Sequence, residues 1–446
     1  MSTSTPTGPA RIHVPVPTAT PGPARTRAGA GGPRVRYVGV DLARFLAIAG
    51  MMATHLVAIT AMLPGLSPFE QAAGSVAQTA TSGIAAPLFA VLGGLSLVFA
   101  SRAPLRDGRR GAAVAGILIR GAILVLVGML LGMLDVPIVI VLAYYGLAMI
   151  IAAPAVLLPS WAIAGIAAVL AVAVPPLNAL ARSALEVVNE GGSVTFDSFS
   201  ADPLGAVRGL FLTGEYPAVT WVVYLLVGIL IARGFVAATA RGTLRRAALI
   251  AAAAGAAIAA AAQGVSTWVV ANLDRFGFVM PEGVDPEMFR TLLVSPTFGA
   301  PFSADPWAML VATPHSGSPM DLLRTVGIAL LVIGLLVAVF DGGRSDREPG
   351  FVLNVFRSAG AAPLTIYALH VIATALLMQP AMTALMLQDA PDPTTLPWYA
   401  IGLPAFGAQL AGAIVIGAIL AALHRRGPLE ALVSGTVRLL TGQRRR

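Results

Sequence analysis

Three ionisable side chains, Asp41, Arg44 and His55, lie within one long apolar stretch at residues 37–62. The stretch is long enough to cross a bilayer as a helix. Fourteen residues at about 100° each end about 40° short of a whole number of turns, so Asp41 and His55 share a helix face with Arg44. Ionisable groups at membrane depth usually face the protein interior or a wet cavity. The spacing therefore predicts a functional face on this helix.

His55 and His370 are the histidines predicted to be catalytic. His55 lies about 21 Å along its helix from Asp41, and His370 lies about 18 Å from the cytoplasmic start of its stretch at Ser358, so the two imidazoles are expected at similar depth. A neutral imidazole can take a proton from a hydroxyl or amine near neutral pH, and it can also carry an acyl group. The alternative is a hydrogen bond that only joins two helices. Tyr367, three residues before His370 on the same face, is placed to orient it.

The other three histidines are weaker candidates. His13 lies in the polar N-terminal stretch, and His424 sits at a helix end beside two arginines. His315 falls in a long loop where it could touch a substrate, but an exposed histidine there is usually incidental.

Asp41, Arg44 and Arg120 are predicted to bind a donor. Asp41 and Arg44 are spaced for an ion pair on one helix face. Arg120 lies eight residues inside the third apolar stretch and could form a basic mouth with Arg44 for a phosphate-bearing molecule, because a guanidinium matches phosphate bidentately. The alternatives are that Arg120 pairs with Asp41, that the ion pair is a structural clasp, or that an arginine reaches back to the interface.

The sixth apolar stretch begins GEYPAVTW, which brings Glu215, Tyr216 and Trp221 together at one membrane boundary. We predict that these residues, with Tyr367, face an acceptor molecule. An aromatic belt would explain the rings alone, although it would not explain the carboxylate of Glu215.

The composition predicts an all-α, polytopic membrane protein. Of the 446 residues, 57% are hydrophobic and only 11% are charged, whereas soluble domains carry roughly 25% charge. The absence of cysteine excludes disulfides and thiolate metal sites, and no metal site is predicted. No Walker, GxSxG or HExxH motif is present, so ATP-driven transport and zinc proteolysis lack support. The net charge of +8 is explained by membrane topology, so no nucleic-acid partner is expected.

About ten apolar stretches are predicted to cross the membrane. Arginines gather in alternate loops and acidic residues in the others, which assigns both termini to the cytoplasm and requires an even number of spans. The ten stretches are 38–62, 84–101, 112–134, 136–158, 161–180, 216–235, 247–270, 322–340, 358–378 and 398–423.

The domain prediction has three parts. Residues 1–36 are predicted to be a disordered cytoplasmic tail, because their Pro, Thr, Gly and Arg content cannot bury a core. Residues 37–426 form the transmembrane domain, with long outer loops at 181–215 and 271–320. These loops are either a lid or acceptor-binding surface or plain solvated connectors. Residues 427–446 form a basic cytoplasmic tail in which a short amphipathic helix is possible.

The pattern D-x-x-R followed by a polar residue 14 positions after the Asp resembles the transmembrane acyltransferase superfamily. That group includes the heparan-α-glucosaminide N-acetyltransferase catalytic domain, related bacterial families of unknown function and acyltransferase type 3. Four later segments are also similar: APLFAVLGGLSLVFASR from Ala86, IRGAILVLVGMLLGMLD from Ile119, GEYPAVTW from Gly214 and APLTIYALH from Ala362.

The resemblance implies an acyl-CoA-dependent O- or N-acyltransferase in a bacterial plasma membrane. It implies acyl-CoA as a co-substrate without a bound cofactor, and membrane lipid and a small-molecule or glycan acceptor as partners. His55 would take the catalytic place, and Arg44 and Arg120 donor-side places. Two alternatives stay open: a transporter or flippase for a lipid or glycan precursor with an Asp/Arg/His relay, and a scaffold without catalysis.

Overall fold

The computed structural model describes residues 1–4, 36–187, 190, 192–280, 282–297, 299–343 and 350–442. The chain divides into two compact units, Met1–Arg36 and Tyr37–Arg446. The prediction of a disordered tail falls largely on residues 5–35, which lie outside the described residues. The fold described below is that of the second unit.

The second unit is all-helical over its described residues, as the composition predicted. Its helices are α1 Val38–Leu56, α2 Pro68–Thr81, α3 Ala85–Arg106, α4 Arg110–Gly132, α5 Leu142–Ala152, α6 Ser160–Ala184, α7 Phe196–Ala201, α8 Pro203–Arg208, α9 Ala218–Ala240, α10 Leu244–Ala271, α11 Pro286–Val294, α12 Pro306–Met309, α13 Pro319–Phe340, α14 Phe351–Gly360, α15 Pro363–Ala373, α16 Gln379–Met386, α17 Gly402–Ala422 and α18 Pro428–Thr441. Short 3₁₀ segments lie at Ala58–Met62, Ala153–Leu157, Leu273–Phe276 and Pro393–Thr395, and π-helical segments at Gly209–Thr213 and Thr374–Met378.

Nine stretches in the described part of the chain are long and apolar enough to cross a membrane. A shorter apolar helix, Leu142–Leu157, occupies the place of the fourth predicted span. The described structure is therefore that of a polytopic membrane protein, and the predicted number of about ten holds when the short helix is included.

The structure differs from the predicted spans in two ways: it contains an additional helix, and it breaks one of the predicted spans. α2 was not predicted: it is a polar-faced helix whose N-terminus is capped by Ser67, with the Glu70 side chain reaching back in a capping box. The predicted span 358–378 is broken, because α14 ends at Gly360 and a new helix starts at Pro363. Proline is favoured in the first turn of a helix and disfavours helical backbone in the residue before it, which explains the break.

α1 lies at the centre of the bundle and packs against α3, α13, α14, α15 and α17. The residue that precedes the helix, Tyr37, makes no side-chain capping hydrogen bond to the described residues. Instead, Asp341 accepts hydrogen bonds from the backbone N–H groups of Val38 and Gly39, at 2.7 and 2.8 Å. A carboxylate at a helix N-terminus also complements the helix dipole. Farther along, Gly360 approaches so closely that a Cβ there would overlap the carbonyl of Asp41. These contacts fix the position of the helix that carries His55.

The long loop between α10 and α13 folds back onto the bundle. Val269, Leu293 and Trp307 belong to a small apolar core of its own. Its final part, residues 299–317, is tied to α6 by a hydrogen bond from the Asn178 amide to the carbonyl of Gly299, at 2.9 Å. We call residues 299–317 the strap. Val311, Ala312 and Ser316 within the strap are buried.

Candidate functional site

A chain of hydrogen bonds joins His55, His370 and Gln409 across three helices, α1, α15 and α17. Nδ1 of His55 lies 2.9 Å from Nε2 of His370, and Nδ1 of His370 lies 2.6 Å from Oε1 of Gln409. The two imidazole planes differ by only 4°, with centroids 5.3 Å apart. The hydrogen bond between the histidines therefore runs nearly in the plane of both rings.

The amide oxygen of Gln409 determines the tautomers of both histidines. Because Oε1 can only accept, Nδ1 of His370 carries the proton and its Nε2 accepts. Nδ1 of His55 must then carry the proton that it donates to His370. Nε2 of His55 is left with a free lone pair, which is the form in which an imidazole acts as a base or nucleophile. We call these three residues the relay.

His55 lines a cavity beside the relay, which we call the relay cavity. Thr54 and Thr81 contribute hydroxyl groups to its wall, and their oxygens are 2.8 Å apart. The other lining residues are Met51, Gly83, Ala85, Ala86, Val139, Val141, Tyr216, His315 and Tyr367. The cavity therefore places hydroxyl groups and aromatic rings around His55, without any carboxylate among its described lining residues.

A second cavity adjoins the first and lies under the strap; we call it the strap cavity. Tyr216 and His315 line both cavities. The remaining lining residues are Pro87, Pro217, Thr220, Trp221, Tyr224, Gly299, Gly317 and Asp321. The rings of Tyr216 and Trp221 meet edge to face at 5.3 Å, and Tyr216 meets His315 in the same way at 5.6 Å.

His315 has an unusual backbone conformation, and a backbone hydrogen bond fixes its carbonyl group. Its φ is +63°, a left-handed value that non-glycine residues rarely adopt and that concentrates at functional sites. The N–H of Gly299 donates to the carbonyl of His315 at 3.1 Å, and the N–H of Gly317 donates to Asp321 at 3.1 Å. Burial and the nearby charge of Arg324 lower the pKa of His315 to about 4, so its imidazole is neutral at physiological pH.

The residues predicted to face an acceptor are largely at these cavities. Tyr216 lines both, Trp221 lines the strap cavity and Tyr367 the relay cavity. Glu215 is partly buried beside Tyr216 but lines neither cavity, and burial raises the pKa of its carboxyl to about 7. The acceptor role of these residues stays a prediction.

The residues predicted to bind a donor divide into two groups. Arg44 pairs with Asp41 at 2.5 Å and donates to the hydroxyl of Ser96 at 3.0 Å, as the spacing of the ion pair suggested. The charges that act on Arg120 are those of Arg426 and Arg438, and neither Asp41 nor Arg44 is among them. The described contacts therefore give no direct link between Arg44 and Arg120, and the donor role of both stays a prediction.

The charges of Arg426 and Arg438 act on Arg120, and we call these three residues the arginine cluster. Arg120 is partly buried and makes no hydrogen bond or ion pair to the described residues. Arg438 lies on α18, whose Glu430 accepts hydrogen bonds from the backbone N–H groups at the start of α15, at 2.7 and 3.1 Å. α15 carries His370 roughly 10 Å farther along its axis. α18, which carries Arg438, is thus joined to the helix that carries His370.

The sequence analysis did not predict a role for Gln409, and it treated His315 as a weak candidate. A glutamine on an otherwise apolar helix is a signal that could have been noticed, because an amide in a membrane helix needs a partner. His315 has no local signal: its place at the cavity follows from the folding of the strap over the bundle.

Gln409 gives a direct test of the relay. We expect Gln409→Leu to lower turnover about tenfold, because His370 loses the acceptor that fixes its tautomer. Gln409→Glu keeps an acceptor and should preserve turnover, while moving the acid limb of the pH–rate profile to higher pH, because a carboxylate favours the protonated imidazole. The exposed Gln263→Leu on α10 is the matched control. An unchanged pH profile in Gln409→Glu would exclude a coupling between Gln409 and the base.

The fold and the site define a class: a multi-pass membrane protein with an intramembrane histidine pair beside an aromatic cavity. A sequence model of the family described as heparan-α-glucosaminide N-acetyltransferase, catalytic, matches residues 36–271, slightly more than half of the chain. The chain belongs to this family, which confirms the resemblance noted in its sequence. No curated protein and no solved structure matches the chain significantly. The family segment contains α1 to α10 and includes His55, whereas His315, His370 and Gln409 lie beyond it.

Proposed function

We propose that this protein transfers an acyl group, specifically acetyl, from cytosolic acyl-CoA to a sugar or lipid-linked acceptor on the other side of a bacterial plasma membrane. Membership of an acetyltransferase family supports the acyl transfer. The observation that carries the proposal is the relay, which leaves Nε2 of His55 with a free lone pair on a residue that lines the relay cavity.

In the proposed reaction, Nε2 of His55 takes the proton of the acceptor hydroxyl or amine. The acceptor oxygen or nitrogen forms a bond to the thioester carbon, the carbon–sulfur bond breaks, and the proton passes from His55 to the leaving thiolate to give free CoA. His370 and Gln409 hold the ring of His55 and stabilise the imidazolium that forms. The same lone pair could instead carry the acyl group, and a trapped acylated form of the protein would distinguish that route.

The arginine cluster supports a phosphate-bearing donor. Three guanidinium groups in proximity repel one another, and a bound phosphate would offset that repulsion through charge-assisted, bidentate hydrogen bonds. The distribution of arginines over the loops supports the assignment of this end of the bundle to the cytoplasm, where acyl-CoA is made. The relay would then lie between the donor end and the cavities.

Arg120 tests the donor end. We expect Arg120→Gln to raise the KM for acetyl-CoA roughly 10- to 100-fold with little change in kcat, because a charged hydrogen bond to the donor is lost equally from the ground and transition states. The exposed Arg110→Gln on the same helix is the matched control. A lower kcat at unchanged KM would contradict a role in donor binding.

Acyl-CoA dependence tests the proposed function against a transporter. Protein purified in lipid discs is supplied with acetyl-CoA and an envelope extract, and the release of free CoA thiol is measured. We expect thiol release that requires both the extract and His55. Movement of an extract component across a vesicle membrane without any change of mass, and without CoA, would favour the transporter instead.

A further inference from the structure

Helix α18 carries a row of leucines that the rest of the protein leaves uncovered. Leu432, Leu439 and Leu440 are 61%, 81% and 64% exposed. At about 100° per residue, Leu439 and Leu440 come within about 20° and 80° of Leu432, so the three share one side of the helix, which we call the leucine face. The other side is buried through Val433 and Val437. An exposed apolar face of this kind marks a contact with another molecule.

The contacts of α18 place one end of the leucine face at a boundary of the membrane. Arg109, which directly precedes the spanning helix α4, donates a hydrogen bond to the carbonyl of Thr441 at 2.6 Å. A Cβ on Gly116, about 10 Å farther along α4, would lie 3.3 Å from Cγ1 of Val437. α18 therefore runs antiparallel to the first turns of α4. Its leucine face extends from the boundary toward the membrane interior, where the molecule that covers it is a lipid.

The turn between α3 and α4 determines which lipid fits. Residues 102–110 contain four arginines and one carboxylate, Asp107. Arg106 and Arg109 in this turn are exposed, and Arg109 lies against the boundary end of α18. A phosphate at this position would meet guanidinium groups, while its acyl chains would lie along the leucine face. A headgroup with a net negative charge is therefore favoured over a zwitterionic one.

We propose that α18 and the turn before α4 form a binding site for an anionic phospholipid, and that the bound lipid steadies the first turn of α15. The headgroup lies at Arg106 and Arg109, and the acyl chains lie along the leucine face. Lipid binding at this site is independent of acyl transfer, because it involves neither the relay nor the arginine cluster.

Glu430 connects the lipid site to α15. Its Oε1 accepts hydrogen bonds from the backbone N–H groups of Leu364 and Thr365, at 2.7 and 3.1 Å. Its Oε2 accepts from the hydroxyl of Thr365 at 2.6 Å. A lipid that holds α18 against the bundle therefore also holds the first turn of the helix that carries His370.

The lipid preference can be measured with a fluorophore on the leucine face. The chain has no cysteine, so Thr436→Cys provides a single labelling site. The labelled full-length protein is placed in phosphatidylcholine discs with a small fraction of brominated phosphatidylglycerol or brominated phosphatidylcholine, whose bromine atoms quench the fluorophore on contact. We expect brominated phosphatidylglycerol to be preferred roughly 20-fold, since each of two arginines near an anionic headgroup strengthens binding about fivefold.

The arginines are tested one at a time in the same assay. Arg106→Gln should reduce the preference about fivefold, and it leaves the bond between Arg109 and Thr441 in place. The exposed Arg290→Gln on α11 is the matched control and should keep the full preference. Thermal unfolding of each variant shows that it is folded.

Equal quenching by the two brominated lipids would overturn the lipid site, as would the full preference in Arg106→Gln. Inorganic phosphate, compared with chloride at the same ionic strength, should leave the quenching unchanged. A loss of quenching with inorganic phosphate would show that the arginines take free phosphate and would also overturn the site.

Hydrogen–deuterium exchange tests the connection to α15. We expect the peptide of residues 363–370 to exchange more slowly in discs that contain phosphatidylglycerol than in pure phosphatidylcholine. Glu430→Ala removes the acceptor and should abolish this difference, while the preference for brominated phosphatidylglycerol remains. The same exchange in both kinds of disc for the wild type, or a difference that persists in Glu430→Ala, would contradict the connection.

Discussion

His55→Gln is expected to lower acyl transfer from acetyl-CoA roughly 10²- to 10⁴-fold, the range that a positioned general base contributes. Glutamine keeps a neutral polar group of similar size that can still hydrogen-bond His370, so the bundle should fold and insert normally. It cannot accept a proton from the acceptor at neutral pH. The measurement is the rate of acetyl transfer in membranes, with the amount of inserted protein determined in parallel.

The matched control for His55→Gln is His424→Gln. His424 is exposed at the end of α17, and no role in the site is predicted for it. It should transfer acetyl at the wild-type rate. Undiminished transfer by His55→Gln would exclude His55 both as base and as acyl carrier, and it would leave the scaffold and transporter alternatives in place.

His370→Ala is expected to lower turnover roughly 10²-fold without a comparable change in KM, because the ring of His55 loses the partner that fixes its tautomer. His370 is 3% exposed, and its two ring nitrogens contact His55 and Gln409. Residues that act as one unit give strongly non-additive losses. The double variant His55→Gln/His370→Ala should therefore be little worse than His55→Gln alone.

The double-mutant cycle distinguishes a relay from two independent residues. Independent contributions would multiply, so the double variant would lose the product of the two single losses. Such a result would contradict a coupled pair even if each single variant were inactive as expected. Circular dichroism and thermal unfolding of each variant in detergent show whether a loss comes from misfolding.

Much of the bundle could be predicted from apolar stretches, because length and hydrophobicity alone decide whether a helix can span a bilayer. The Asp41–Arg44 pair was also predictable, since residues three apart on a helix meet regardless of the tertiary fold. Both the membrane spans and this ion pair follow from residues that are close together in the sequence. The missed helix α2 is short and polar-faced, so neither criterion detects it.

The relay could be predicted only in part. Equal depth made His55 and His370 possible neighbours, but the rotation of α15 about its axis decides whether they touch, and packing with α1 and α17 sets that rotation. Gln409 depends on the same packing. His315 depends on the path of the strap, a long loop whose direction no local pattern encodes. The structure therefore adds the contacts between helices that are far apart in the sequence, such as the contact between His55 and His370.

The proposed donor and acceptor regions lie at different positions along the bundle. Glu430 of α18, the helix that also carries Arg438, binds the start of α15, His370 lies farther along α15, and the relay cavity adjoins its partner His55. A donor and an acceptor that approach from opposite ends would meet at His55. This arrangement agrees with the proposed transfer across the membrane and gives two variants separate kinetic effects: Arg120→Gln on the KM for the donor, and His55→Gln on turnover.

The most direct test of the central claim is mass spectrometry of envelope lipids and glycans labelled with ¹³C-acetyl. Cells that lack this protein are supplied with the wild-type chain or with His55→Gln and grown with the labelled acetyl source. We expect an envelope component that gains one labelled acetyl group with the wild type and lacks it with His55→Gln. The same acetylated component at the same level in both strains would contradict acyl transfer by this protein.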